Sequence, residues 1–170
     1  WFAPAGFNRG GLGNLGGPRG PRVIAARQRL DSNERDTLYD VNINPIATFP
    51  AEGVVIFGQK TLQSDASALD RINVRRLLLL LKSQVAAVSR NLLFDNNLPA
   101  TWARFKSQVE PILASAKARF GLSDYKLVLD ETTTTADLID RNIMYAKIFI
   151  KPARAIEYIV VDFIVTKTGV

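Results

Sequence analysis

Asn142-Ile143-Met144-Tyr145-Ala146-Lys147-Ile148-Phe149-Ile150 and Ile156-Glu157-Tyr158-Ile159-Val160-Val161-Asp162-Phe163-Ile164-Val165 lie either side of a break at Lys151-Pro152-Ala153-Arg154. In the first segment Ile143, Tyr145 and Phe149 alternate with Met144, Ala146, Ile148 and Ile150. In the second, Ile156, Tyr158, Val160 and Ile164 alternate with Ile159, Val161, Phe163 and Val165. Side chains of a strand point to opposite faces with a period of two, so both segments are apolar on both faces and predict two long strands with cover on two sides. The second segment is a candidate for pairing with another subunit. An internal central strand would carry the same pattern, and both readings stand.

Upstream, the period changes from two to between three and four. From Arg71 to about Phe94, Val74, Leu78, Leu81, Val85, Val88 and Leu92 line one face of a long helix, and Arg75, Arg76, Lys82, Ser83 and Arg90 fall opposite with Leu79 among them. Asn96-Asn97-Leu98-Pro99 marks a turn, and Pro99 suits a first helical turn. A second helix follows with Trp102, Phe105, Val109, Ile112, Leu113 and Ala116 as its stripe. Pro111 is expected to kink or split it, and Gly121 to end it. Asp124 to Asp130 predicts a strand, and Thr132 to Asp140 a polar turn with a short helix. Nearer the start, Glu34 to Asp40 predicts a helix, and Ile46 to Phe49 and Gly53 to Phe57 two strands separated by Pro50. The expected fold is α/β of the α+β type, with two long helices packed on a mostly antiparallel sheet.

The stretch from Trp1 to about Arg22 is rich in Gly, Pro and Arg without apolar periodicity, which predicts an extended, loop-like lead-in. The expected division is residues 1–30 as lead-in and 31–170 as the folded domain. Gly11-Leu12-Gly13-Asn14-Leu15-Gly16 fits the spacing of a dinucleotide fingerprint, but Gly17-Pro18-Arg19-Gly20-Pro21 cannot start the helix that would hold a pyrophosphate. The glycines read instead as a tight path against a neighbouring surface. Gly53-Val54-Val55-Ile56-Phe57-Gly58-Gln59-Lys60-Thr61 resembles a phosphate-binding loop with one residue too many. Its centre is a strand sequence whose amides belong to a sheet, not to an anion.

Composition narrows the chemistry. With no Cys and no His among 170 residues, a Cys/His zinc site, a thiol nucleophile, a His general base and a disulfide framework are excluded. The run Leu77 to Leu81 is far short of the ~20 residues that span a bilayer, so the chain is expected to be soluble and cytosolic. A net charge of +6 points to an acidic partner. The basic residues are dispersed and no nucleic-acid motif accompanies them, so direct nucleic-acid binding is not expected. Asp130 and Glu131 at a strand end, with Asp137 and Asp140 on one helical turn, are the candidate carboxylates for a hydrolase or divalent-metal site. No base or electrophile accompanies them, and capping explains acids at such places. Asp162 interrupts an apolar face and calls for a cation, with Arg75, Arg76 and Arg154 as candidates.

Four blocks carry a resemblance: Trp1-Phe2-Ala3-Pro4-Ala5-Gly6 with Asn8-Arg9-Gly10; Asn42-Ile43-Asn44-Pro45-Ile46 with Gly53 to Leu62; Ile72-Asn73-Val74-Arg75-Arg76-Leu77; and Ile148 to Ile159 running on to Thr168-Gly169-Val170. Together they resemble the carboxyl end of contractile phage tail sheath proteins, particularly of T-even-type phages. The resemblance implies a portion of a longer polypeptide, with an amino-terminal arm and outer domains upstream of Trp1. It further implies a structural, non-enzymatic subunit without cofactor or metal, stacked as hexameric rings around an inner tube and contracting to drive that tube through the host envelope. Its partners would be neighbouring sheath subunits, the tube protein, and baseplate and tail-terminator proteins, in a virion tail assembled in the bacterial cytoplasm. On this reading Arg75, Arg76, Leu79, Lys82 and Arg90 face the tube, and Ile156, Tyr158, Ile159, Val160, Val161, Phe163, Ile164 and Val165 form an inter-subunit sheet. The sheath of a headless, phage-derived killing particle is the near alternative. A carboxylate-based hydrolase and a basic nucleic-acid module built on the Arg75-Arg76 helix are the distant ones.

Overall fold

The computed structural model describes residues 2–12 and 23–161. Its elements are α1 (Ser32–Asp40), β1 (Ile46–Phe49), β2 (Gly53–Ile56), a 3-10 turn (Ala68–Asp70), α2 (Ile72–Arg90), α3 (Pro99–Ala118), β3 (Leu122–Val128), α4 (Ala136–Asp140) and β4 (Lys147–Pro152). The mixed helix and antiparallel-sheet class is as expected. The single sheet is not: β1–β2 and β3–β4 are separate two-stranded antiparallel sheets. Such a pair is marginal alone, so each is completed by something packed on it.

For β3–β4 the support is the helical pair. Leu77 and Leu81 of α2 pack with Trp102, Phe105, Val109, Leu113 and Ala116 of α3 in one core that includes Leu122 and Leu129. Ile148 and Ile150 of β4 and Tyr125 and Leu127 of β3 lie against it. Trp102 donates its indole N–H to Asn97 Oδ1 at 2.7 Å, pinning the α2–α3 connection to the start of α3. Pro111 does not split α3, which runs unbroken from Pro99 to Ala118. The left-handed residue after α3 is Phe120 (φ 58°), not Gly121. Gly121 N donates to Ala116 O and Phe120 N to Lys117 O, the paired bonds of a Schellman ending with Gly one position further on.

The long first strand expected from Asn142 starts only at Lys147. Asn142 sits at φ 58° as the left-handed end of α4. The Tyr145 amide is taken by Thr134 Oγ1 at 3.1 Å, a side-chain substitute for a strand partner. The strand then runs through the expected break, since Pro152 stands opposite Leu122, and an outer strand tolerates a missing N–H. Cover on both faces is also not met among the described residues: Ile148 and Ile150 face the core, while Tyr145 and Phe149 are about half exposed on the other side.

For β1–β2 the support is the lead-in. Gly53, at φ 73°, closes the three-residue turn from β1. On the other side of β2, Ile56 N donates to Gly10 O at 2.8 Å, Gly6 N to Ile56 O at 2.9 Å and Leu12 N to Val54 O at 2.7 Å. Gly6 and residues 10–12 are thus bonded to β2 about one antiparallel bridge, Gly11 opposite Val55, with a turn between them. Gly10 is the glycine that this approach requires, because a Cβ there would stand 2.5 Å from Ile56 O. Residues 13–22, which hold the rest of the fingerprint-like run and the Gly/Pro sequence after it, lie outside the described residues.

Candidate assembly surfaces

Two surfaces and one side-chain cluster stand out. The first surface is the outer face of α2. Arg75, Arg76, Lys82 and Arg90 are exposed there, with Leu79 66% exposed among them. The sequence-predicted set therefore shares one solvent-facing side of the helix, opposite Val74, Leu77 and Leu81, which are buried. None of the four cations forms a salt bridge with a described carboxylate. Round the helix from them, Leu78 and Val85 of α2, Leu113 of α3 and Ile148 and Ile150 of β4 line an apolar groove.

The second surface is the segment after Pro152. Ala153 N still donates to Gly121 O at 3.0 Å, extending the β3–β4 ladder by one bond. Beyond it the chain pairs with no described strand through Val161. Ile156, Tyr158, Ile159 and Val160 are each at least 78% exposed and Val161 is 61% exposed. The described part of the predicted second strand is therefore not an internal strand of this fold. Asp162, Phe163, Ile164 and Val165 lie outside the described residues.

Within that exposed run Glu157 alone turns inward. Its Oε1 accepts from Arg71 Nε at 2.7 Å and from Gln59 Nε2 at 3.2 Å. Its Oε2 accepts from Arg71 Nη2 at 3.0 Å and from Tyr39 Oη at 3.1 Å. The fork-to-fork Arg71 contact is the strong geometry for such a pair. Arg71 is the N-cap of α2, where a cation opposes the helix dipole. It is accommodated by Glu157 and by Asp70 at 3.2 Å. Burial pushes the Glu157 carboxyl up, but the hydrogen bonds from Arg71, Gln59 and Tyr39 outweigh it and hold the group below its ordinary value. The same contact pushes the Tyr39 phenol up to about 12, first by burial and then by the Glu157 charge. Sequence reasoning misses this cluster. The available signal is a lone acid in an apolar run, which draws the eye to Asp162, whereas Glu157 carries the same signal five residues earlier.

The other sequence candidates resolve into structural roles. Asp130 Oδ1 accepts from the Thr132 hydroxyl and from Thr132 N at 3.0 Å, and those bonds, the hydroxyl first, hold the carboxyl below its ordinary value. Asp137 lies 3.7 Å from Arg141, one turn along α4. Among the described residues no group of three acids gathers as a metal site. Amides within residues 53–61 are spent on protein oxygens: Ile56 N donates to Gly10 O, Phe57 N to Pro45 O, Lys60 N to Asn44 Oδ1 and Thr61 N to Asp70 O. Lys60 Nζ donates to Tyr39 O at 2.6 Å, so the lysine of the loop-like motif is engaged within the fold. No helix among the described residues is long and apolar enough to cross a membrane.

The described fold thus leaves an apolar segment unpaired and a basic helix face exposed, with Glu157 tethering residues 154–161 by its side chain. The family model for the phage tail sheath C-terminal domain matches residues 64–166, and the chain belongs to that family. It is 39% identical over 168 residues to the tail sheath protein of Vibrio phage KVP40, and 38% identical over 169 residues to that of Enterobacteria phage T4. Each match takes in 99% of this chain and 24% of the relative, so the chain spans about a quarter of those proteins. In fold it is similar to the contracted helical sheath of the anti-feeding prophage, with a TM-score of 0.77 at 22% identity, over 85% of this chain and 42% of the other. It is also similar to the contracted sheath complex of the extracellular contractile injection system PVC, with a TM-score of 0.74 at 23% identity, over 81% of this chain and 41% of the other.

Proposed function

We propose that this chain is the carboxyl-terminal, inner-radius part of a contractile tail sheath subunit, which polymerises as stacked hexameric rings around an inner tube and contracts to drive the tube through the host envelope. The observation that carries the reading is the exposed apolar segment of residues 158–161, beside a sheet in which β4 has no partner on its outer edge among the described residues. Adding a strand to a neighbour's sheet satisfies backbone groups and buries alternate side chains, so Ile156, Tyr158, Ile159, Val160 and Val161, with Phe163, Ile164 and Val165 beyond them, form an inter-subunit sheet. The subunit is structural and not an enzyme. Work comes from rearranging contacts made at assembly, with the domains moving as rigid bodies.

The basic face of α2 then meets the inner tube. Exposed ion pairs are individually worth only about 0.2–1 kcal/mol, so a field of them holds collectively and is broken stepwise when the sheath widens. Baseplate and tail-terminator proteins bound the array at its ends, in a virion tail built in the bacterial cytoplasm. The sheath of a headless killing particle shares this mechanics, but the phage relatives stand at 38–39% identity against 22–23% for the injection systems, which favours the virion. Reversing Arg75 and Arg76 to Glu in the full-length subunit tests the tube contact by electron microscopy. Folded subunits that no longer form extended sheaths on tubes are expected; normal extended sheaths contradict the assignment.

A further inference from the structure

Along residues 154–161, the arm after β4, the hydrogen bonds to the rest of the subunit run through one half-buried side chain, that of Glu157. Across residues 154–161 no residue donates or accepts a backbone hydrogen bond to a described strand, and only Glu157 is not exposed. Its carboxylate gathers donors from three separate places: Tyr39 on α1, Gln59 on the loop after β2, and Arg71 at the start of α2. The side chains of Arg71 and Glu157 are 27% and 18% exposed, which shields the pair from the screening that makes surface pairs weak. Ala155, Ile156, Glu157 and Tyr158 line a hollow together with Tyr39 and Phe57.

We infer that Glu157 is the anchor of the arm: it fixes the chain to its own subunit at this one point, so that 157 ends the part held in the fold and 158 begins the part free to pair elsewhere. A backbone ladder would consume the amides that a partner strand needs, whereas a side-chain clamp holds the arm and leaves them open. The clamp also fixes direction. It sets the point from which the exposed residues leave the subunit, and limits the volume they search for a partner. The anchor stands on contacts within this chain, while the pairing of residues beyond it rests on the function proposed above.

The test is the rate of tryptic cleavage after Arg154 in the unassembled full-length subunit, for wild type, Glu157→Gln, Arg71→Leu and the double variant. Cleavage of a transiently opened segment follows the open population, so either single substitution is expected to speed it about tenfold or more. The double variant should be no faster than the quicker single one, because both remove the same contact. Cleavage after Arg90 and Arg141 serves as the control and should keep its wild-type rate. Equal rates after Arg154 in wild type and variants overturn the anchor. So does a parallel rise at all three sites, which would make the pair an ordinary stabilising contact. Microscopy of the wild-type subunit separates the two readings: absence of sheaths counts against the proposed function and leaves the anchor result intact.

Discussion

The two segments that flank the helical core are held to it by opposite means. At the amino end Gly6, Gly10 and Leu12 exchange backbone bonds with Val54 and Ile56 of β2. Residues 154–161 at the carboxyl end exchange none with a described strand, and hang from the side chain of Glu157. A backbone ladder commits a segment whatever its side chains, and uses up the groups that another strand would need. A carboxylate clamp commits one residue only. The first segment is therefore built into this fold, and the second remains available although it is the more apolar of the two.

The deepest break in that contrast comes from the core that both segments share. Leu113→Ala empties a fully buried site between α2, α3 and the β3–β4 sheet. The expected cost is about 2–5 kcal/mol in denaturant unfolding, with both segments loosened together. Gly10→Ala should act on one side alone. Its Cβ would meet the backbone oxygens of Ile56 and Gly6, which cannot swing away, and a loss of about 1–3 kcal/mol is expected. Hydrogen exchange at Ile56 and Leu12 should quicken while that of α3 does not.

A smaller effect, and one with a pH signature, is expected at Glu157. Truncating one partner of this half-buried pair to Glu157→Gln costs about 1–2 kcal/mol near neutral pH. The sign of the pH dependence follows from the direction of the shift. The folded-state carboxyl is held below its ordinary value of 4.5, so its contribution is fully present above that value and is lost as the pH falls through the lower folded-state one. Glu157→Gln should remove this increment and its slope together. Melting curves between about pH 7 and pH 3 check it, and an unchanged slope in the variant would mean that other carboxyls carry the acid sensitivity. Least of all should be felt at Ile159, 81% exposed. Ile159→Asp is expected to change the stability of the isolated subunit by no more than about 0.5 kcal/mol, yet to impair assembly.

Much of this is legible in the chain. The apolar stripe of α3, the Pro99 start and the Pro50 turn have local causes, namely periodicity and fixed φ, and the structure realises each of them. By contrast, α2 ends at Arg90, short of Leu92, and buries Leu77, which the expected stripe leaves out. The basic residues of α2 share a face because helical spacing alone decides that. What sequence does not carry is pairing between distant segments. Nothing local to residues 6–12 says that β2 will accept them, and a period of two over residues 156–161 is the same whether the partner lies in this chain or another. The Glu157 cluster joins residues 86 to 118 positions apart, and it stays hidden because Arg71, Gln59 and Tyr39 each look ordinary where they stand. The start of β4 is obscured for a subtler reason: Thr134 supplies a hydroxyl where a strand would supply a carbonyl, and Asn142 supplies a left-handed turn inside an apolar run.

The central claim is that residues 158–161, exposed and unpaired among the described residues, serve the assembly proposed above. A stop placed directly after Glu157 in the full-length sheath protein tests it most directly, read by melting of the isolated subunit and by electron microscopy of assembly on tubes. The account predicts a soluble subunit that melts as the complete chain does and forms no sheath. Complete, contractile sheaths built from the shortened chain would contradict it.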